Sequence, residues 1–313
     1  MSAVASRLPP TRTPDLSLPF MLTAARKIYP SRKLGTLKNW YALLSAATKA
    51  RPVLREMLAR GEHQALLAEL QAHPETLGFV EWPYIHASWS VAQRFEALSQ
   101  HMQALQGEMA ALDMARNGSV LIADMNEVYP GLRLTVDRAF WCLREGSLVF
   151  NQFIGDDRMM TLCFSFGMEG GERVVYVGAV QGSNSEAALA TYKEVAKGLQ
   201  GMRSRDFLVK AFQLLMHHLG VQRILCIAEE ERHHRHPYFT TNPNEKFNLD
   251  YNEIWAEHNG EPAGGGFWQL PLQPAQRPME EIAAKNRALY RRRYALMDKL
   301  SADIGARFGK SAA

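Results

Sequence analysis

Glu231-Arg-His-His-Arg-His-Pro-Tyr-Phe239 gathers three of the chain's ten histidines and two arginines behind an apolar run, Arg223-Ile-Leu-Cys-Ile-Ala228. A strand that ends in cationic, titratable side chains delivers acid/base chemistry or anion binding to a cleft edge. Imidazoles are also frequent metal ligands, but H-H-x-H followed by Pro237 matches neither zinc-finger spacing nor H-E-x-x-H. Two readings stay open. In one, the segment is a structural loop whose cations are held by Glu229, Glu230 and Glu231; in the other, Arg235 contacts an anion and His236 moves a proton. His233 and His234 read as loop surface.

A second segment, Lys197-Gly-Leu-Gln-Gly-Met-Arg-Ser-Arg205, leads two glycines into arginines at a helix start, with Ser204 placed to cap it. Backbone N–H groups there, with Gly201, Arg203 and Arg205 beside them, would cradle a phosphate. A helix-to-helix turn that needs glycine explains the same residues. The segment is neither G-x-x-x-x-G-K-S/T nor G-x-G-x-x-G, and no G-x-S-x-G elbow occurs. Cys142, Cys163 and Cys226 sit in apolar, strand-like sequence without C-x-x-C spacing, so they read as buried thiols and no metal is expected.

The elements that must carry these residues follow from periodicity. Thr36 to about Ala72 is helical, with Pro52 suited to a first turn; a second helix, capped by Ser90, should run from Val91 to Leu112 on Phe95, Leu98, Met102, Leu105 and Met109. The period then changes. Leu134 to Leu143, Ser147 to Ile154, Met159 to Gly167 and Arg173 to Gln181 read as an antiparallel meander of about four strands. Helices at 186–197 and 205–219, a strand at 223–228, a helix at 251–258, a strand at 267–272 and a basic helix at 279–304 complete the chain. The last carries Arg291, Arg292 and Arg293, which cannot all face one way. The fold class is α+β, with N-terminal helices packed on a mixed, mainly antiparallel sheet with flanking helices. The expected divisions are a loose arm at 1–19, a helical region at 20–112, an α+β core at 113–306 and a tail at 307–313.

With 313 residues, 47% hydrophobic content and a net charge of +4, the chain reads as globular, and the charge is too local for a nucleic-acid protein. No stretch is long and apolar enough to span a membrane and none has the form of a secretory signal, so a cytoplasmic location is expected.

Glu81-Trp-Pro-Tyr-Ile-His-Ala-Ser-Trp-Ser90, Val180-Gln-Gly182, Lys197 to Arg203, Arg235-His236, Leu249 to Trp255, Gly266-Phe-Trp-Gln-Leu-Pro271 and Tyr290-Arg-Arg-Arg-Tyr294 together resemble the VirK/YbjX family of bacterial proteins. The likeness spans roughly residues 25 to 303. It implies a family long labelled a domain of unknown function, some members of which are associated with virulence, envelope integrity and resistance to cationic antimicrobial peptides; it carries no catalytic residues over.

The element order is also similar to the acyltransferase fold of the GNAT superfamily of N-acetyltransferases. That likeness implies an acyltransferase-like core with a donor site at Gly198 to Arg205. The chain departs from that superfamily's Q/R-x-x-G-x-G/A signature: with Gly201 on the first glycine, Gly198 falls at the Q/R position and Arg203 where a small residue belongs. On these expectations acyl-CoA or an acyl-carrier protein is the donor. Gly201, Arg203, Ser204, Arg205 and Arg235 bind its anionic part, and His236 or Tyr251 handles the acceptor's proton. The alternative is a non-enzymatic binding or scaffold protein whose basic C-terminal helix touches an acidic envelope component.

Overall fold

The computed structural model describes residues 16–31, 34–107, 109–113, 118–138, 141–183, 185–239 and 250–309. Residues 1–15 of the expected arm, Leu249 and residues 310–313 of the expected tail lie outside them. The chain divides into two compact units, one comprising residues 1–82 and 89–106 and the other residues 83–88 and 107–313.

The first unit is helical. It contains α1 (Leu18–Ile28), α2 (Leu34–Ala59), α3 (Gln64–Ala72), a 3-10 segment at Pro74–Val80 and α4 (Val91–Gln106). Pro52 does not open a helix as its sequence position suggests; it lies inside α2. At the start of α4, Ser90 and Gln93 cap reciprocally: the Ser90 N–H donates to Gln93 Oε1 at 2.9 Å and the Gln93 N–H to Ser90 Oγ at 3.4 Å. Buried Arg94 satisfies its charge on backbone, donating to the carbonyls of Phe79, Trp82 and Trp89 at 3.2, 2.9 and 2.9 Å. The helix stops at Gln106, short of the expected Leu112, because Gly107 follows; Ala110–Leu112 is a separate 3-10 turn.

The second unit is built on an eight-stranded sheet of order β1-β2-β3-β4-β5-β6-β8-β7. Its strands are β1 (Ser119–Asp124), β2 (Leu132–Arg138), β3 (Leu148–Ile154), β4 (Asp157–Glu169), β5 (Glu172–Gly182), β6 (Arg223–Ile227), β7 (Glu261–Gly264) and β8 (Phe267–Leu270). All neighbours are antiparallel except β5 and β6, joined by a crossover through α5 (Glu186–Gly198) and α6 (Ser204–His218). Then come α7 (Tyr251–Glu257), between β6 and β7, and α8 (Arg287–Phe308).

Side chains alternate between the two faces of the sheet. Phe150 and Phe164 meet Phe212 of α6, with ring centroids 5.9 and 5.1 Å apart. Their neighbours Asn151 and Cys163 therefore lie on the opposite face, as do their pairing partners Thr161 and Ala179. One irregularity matters for the site. Cys163 pairs with Ala179 but Phe164 pairs with Val177, so Gly178 is an extra, bulged residue in β5. A Cβ on Gly178 would collide with the Glu145 carbonyl oxygen. Gly178→Ala should therefore destabilise the folded chain by at least about 2 kcal/mol, read from the midpoint of urea unfolding.

Candidate active site

The parallel ladder between β5 and β6 runs from Val174–Arg223 to Val177–Cys226 and stops there, while β5 continues to Gly182. The carboxyl ends of two parallel strands joined by a crossover are where open α/β sheets take ligands. In this chain the opening is wedged by Tyr251, the first residue of α7. Its hydroxyl accepts from the Val180 N–H at 3.1 Å and donates to the Val180 carbonyl at 3.2 Å. Burial pushes the Tyr251 phenol well above its ordinary range, and the Arg232 guanidinium lies 3.8 Å over its ring.

The acidic run after β6 holds the cations of the histidine loop. Glu229 accepts from Arg232 and Arg235, each at 3.1 Å, and from the Tyr251 N–H at 3.3 Å, so one carboxylate joins both arginines to the start of α7. Glu230 accepts from the Asn252 side-chain amide at 3.0 Å, and Asn252 Oδ1 accepts from the Glu229 N–H at 3.0 Å. Glu231 accepts from the Ser88 hydroxyl at 2.5 Å and lies 3.4 Å from His86 Nδ1. His236 is half-buried, its Nδ1 accepting from the Tyr238 N–H at 3.0 Å.

The other sequence-marked residues lie at the far end of α7. Arg203, in the N-cap position of α6, donates to Asp206 at 2.7 Å and to Glu257 at 3.2 Å; Arg205 donates to Asp206 at 3.2 Å and also to Glu257. Ser204 is not the cap its spacing suggests. It is the first helical residue, and its Oγ accepts from buried Gln152 at 3.3 Å. Gly201 has φ +77°, a left-handed value that glycine adopts without strain, and a Cβ there would lie 2.9 Å from Arg293 Nη2. The same turn is held by α8: Arg292 donates to the Gln200 side chain at 2.9 Å and Arg293 to the Gln200 carbonyl at 2.6 Å.

α7 therefore separates the candidates. Arg235 is tied at its start and Arg203 and Arg205 at its end, and seven helical residues rise about 10 Å. The start of α6 and Arg235, the residue before His236, are thus held at opposite ends of this short helix.

Sequence spacing missed a third cluster. Glu145, in the loop between β2 and β3, is buried beside Cys142 and Cys163; it accepts from Gln181 and faces His233 Nδ1 at 3.4 Å. Burial raises its carboxyl to about 7 against the pull of Arg232 and Gln181. Burial, with His234, Arg232 and Arg144, lowers His233 to about 3. The signal available in sequence was a lone glutamate three residues after a cysteine in apolar surroundings.

An α+β unit with a sheet opened at its one parallel junction, and ionisable groups ranged around that opening, is the class that fold and site define. Among the described residues no helix is long and apolar enough to cross a membrane. The chain belongs to the VirK/YbjX family: the family described as "Protein of unknown function (DUF535)" matches residues 32–306. It is 24% identical over 287 residues to an uncharacterized protein of Haemophilus influenzae, covering 91% of this chain and 94% of the relative. A second uncharacterized Haemophilus influenzae protein is 31% identical over 128 residues, 41% of this chain and 42% of its own length. The uncharacterized protein YbjX of Escherichia coli K12 is 26% identical over 232 residues, 72% of this chain and 70% of its own.

Asp206 offers a measurable consequence. Burial alone would raise its carboxyl, but His258, Arg203 and Arg205 outweigh burial and hold it well below its ordinary value of 3.8. A depressed carboxyl stabilises the fold above that ordinary value, and the contribution is lost as pH falls below it toward the folded-state value. Asp206→Asn should cost about 1–2 kcal/mol at pH 7, discounted for the exposure of Arg203, and flatten the acid limb below about pH 4 in pH-resolved denaturation.

Proposed function

We propose that this chain is an acyltransferase-like enzyme that modifies a component of the bacterial envelope, and that it thereby contributes to virulence and to resistance against cationic antimicrobial peptides. The observation that carries the reading is the early end of the β5–β6 ladder, with cationic groups at both ends of the helix that borders it. A donor with a long arm suits that spacing. The phosphates of acyl-CoA, or the phosphorylated arm of an acyl-carrier protein, would lie against Arg203, Arg205 and the backbone of Gly201 and Ser204, displacing Glu257. The arm would follow α7 toward Val180. There an acceptor amine or hydroxyl would attack the thioester carbonyl while His236 takes its proton at Nδ1, giving up the Tyr238 N–H contact; the carbon–sulfur bond breaks and the thiol leaves carrying that proton. Arg235 holds the histidine loop in position through Glu229. Tyr251 acts in this scheme as a wedge at Val180, since its hydroxyl is committed to backbone on both sides.

Calorimetric titration of the full chain with acyl-CoA and acyl-carrier protein should show binding to one of them. Arg205→Ala should weaken it about tenfold, and His236→Ala should leave binding intact while lowering transfer by about 100-fold or more. A folded chain that binds neither donor overturns the reading.

A second reading, a non-enzymatic binding protein that supports envelope integrity, is favoured by the ion pairs that already engage Arg203 and Arg205. In it α8 meets an acidic envelope component, for which Arg291 and Arg292 are exposed. Charge reversal at Arg291, Arg292 and Arg293 then removes the resistance phenotype, while Arg203→Ala and His236→Ala leave it intact; the enzyme reading predicts the opposite for the last two. Circular dichroism must accompany the reversal, because Arg292 and Arg293 also hold Gln200.

A further inference from the structure

Among the described residues, Cys142, Glu145 and Cys163 each offer a ligand atom within 4.8 Å of the others, and all three residues are buried. The two Sγ atoms are 2.9 Å apart, and Cys163 Sγ lies 4.0 Å from Glu145 Oε2. A fourth donor stands beside the carboxylate, outside the 4.8 Å grouping of the other three: His233 Nδ1 is 3.4 Å from Glu145 Oε1 and makes no hydrogen bond. These residues come from three separate stretches of chain. Cys142 and Glu145 sit in the β2–β3 loop, Cys163 on the face of β4 turned away from α6, and His233 on the 3-10 turn after β6.

We infer that Cys142, Cys163, Glu145 and His233 form a closed structural site for a zinc(II) ion. Thiolate, imidazole and carboxylate are zinc's usual protein ligands, whereas calcium and magnesium require oxygen. A tetrahedral ion with bonds of about 2.3 Å to sulfur and 2.0 Å to oxygen sets sulfur–sulfur edges near 3.8 Å and sulfur–oxygen edges near 3.5 Å. The observed 2.9 and 4.0 Å lie on either side, so side-chain shifts of under about 1 Å bring the two thiolates and the carboxylate to this geometry, and His233, set now against Glu145 alone of the three, must swing further in to close the site. Two thiolates and one carboxylate around a dication leave one negative charge, and the guanidinium charges of Arg232 and Arg144 act on this point. A disulfide between the cysteines would need the sulfurs to close by a similar amount, yet it would leave a buried carboxylate and an orphaned imidazole nitrogen without purpose. The ion instead uses all four groups, and it ties the 141–147 loop and the histidine turn to the sheet. This reverses the expectation of no metal, which rested on spacing within single segments.

The test is zinc titration of the reduced, full-length chain against a chromogenic chelator, with cobalt(II) substitution as a spectroscopic readout. The expected result is one ion per chain, a thiolate-to-cobalt charge-transfer band and the strong visible bands of tetrahedral cobalt. Cys142→Ser, Cys163→Ser and His233→Ala should each weaken binding by more than the about 100-fold typical of losing an outer contact. Cys226→Ser should keep one ion per chain, because Cys226 lies outside the cluster. A folded chain with reduced thiols that takes up neither ion overturns the proposal, as does a charge-transfer band that survives when Cys142→Ser and Cys163→Ser are combined. A Cys142–Cys163 disulfide whose reduction creates no zinc binding also overturns it.

Discussion

Val180 pairs with Leu162 of β4 but has no partner in β6, which would leave its backbone N–H and carbonyl without a bond, because the β5–β6 ladder has already ended at Val177 and Cys226. Buried and unpaired, such groups cost several kilocalories per mole in total, on the order of 1–3 each. One tyrosine hydroxyl satisfies both. That bond fixes where α7 begins, and α7 then fixes the rest. Its first N–H draws Glu229, which gathers Arg232 and Arg235; its last turn presents Glu257 to Arg203 and Arg205. The two sequence-marked cationic segments, about thirty residues apart in the chain, are thus positioned by a single helix of seven residues.

Electrostatically, these arginines are already partnered. Asp206 supplies the negative charge that the start of α6 favours, and it does so from within the helix's own first turn. An incoming phosphate would compete with two carboxylates, so only a multiply charged ligand offering more than one contact would displace them. Glu257 is the more readily displaced of the two, being 46% exposed where Asp206 is 20% exposed.

Much of the sheet was legible in sequence. The valine- and phenylalanine-rich runs of β3, β4 and β5, the apolar face of α6 and the glycine-bounded β8 fall close to where periodicity puts them, because each is buried by a regular stripe. β1 and β7 were not legible. β1 has only two buried residues, and β7, Glu-Pro-Ala-Gly, is an exposed edge whose identity comes from pairing with β8 rather than from its composition. At the site, the arginines and glycines of 197–205 and the histidine loop announced themselves by local density. Glu145 did not. Its neighbours Cys163, Gln181 and His233 lie 18, 36 and 88 residues away, and only the register of β4 against β5 brings the first two together. His233 and His234 also read as loop surface from sequence, whereas both are partly buried and shifted downward, His234 to about 4 by burial and its neighbouring arginines.

The bulge at Gly178 links the two halves of the site. An extra residue in β5 twists the strand and breaks its regular pairing, and here it sits immediately after the last residue that pairs with β6. Because that residue is glycine, the Glu145 carbonyl can pack where a side chain would be, which carries the Cys142–Glu145 loop onto the sheet. The same backbone irregularity thus coincides with the opening beside Val180 and with the seat of the buried cysteine and glutamate cluster. A regular strand with any larger residue at this position would have no room for that loop, and an uninterrupted ladder would leave Tyr251 no backbone to bind. Gly178 is accordingly the position where the fold's irregularity and its candidate chemistry coincide, although it carries no chemistry of its own.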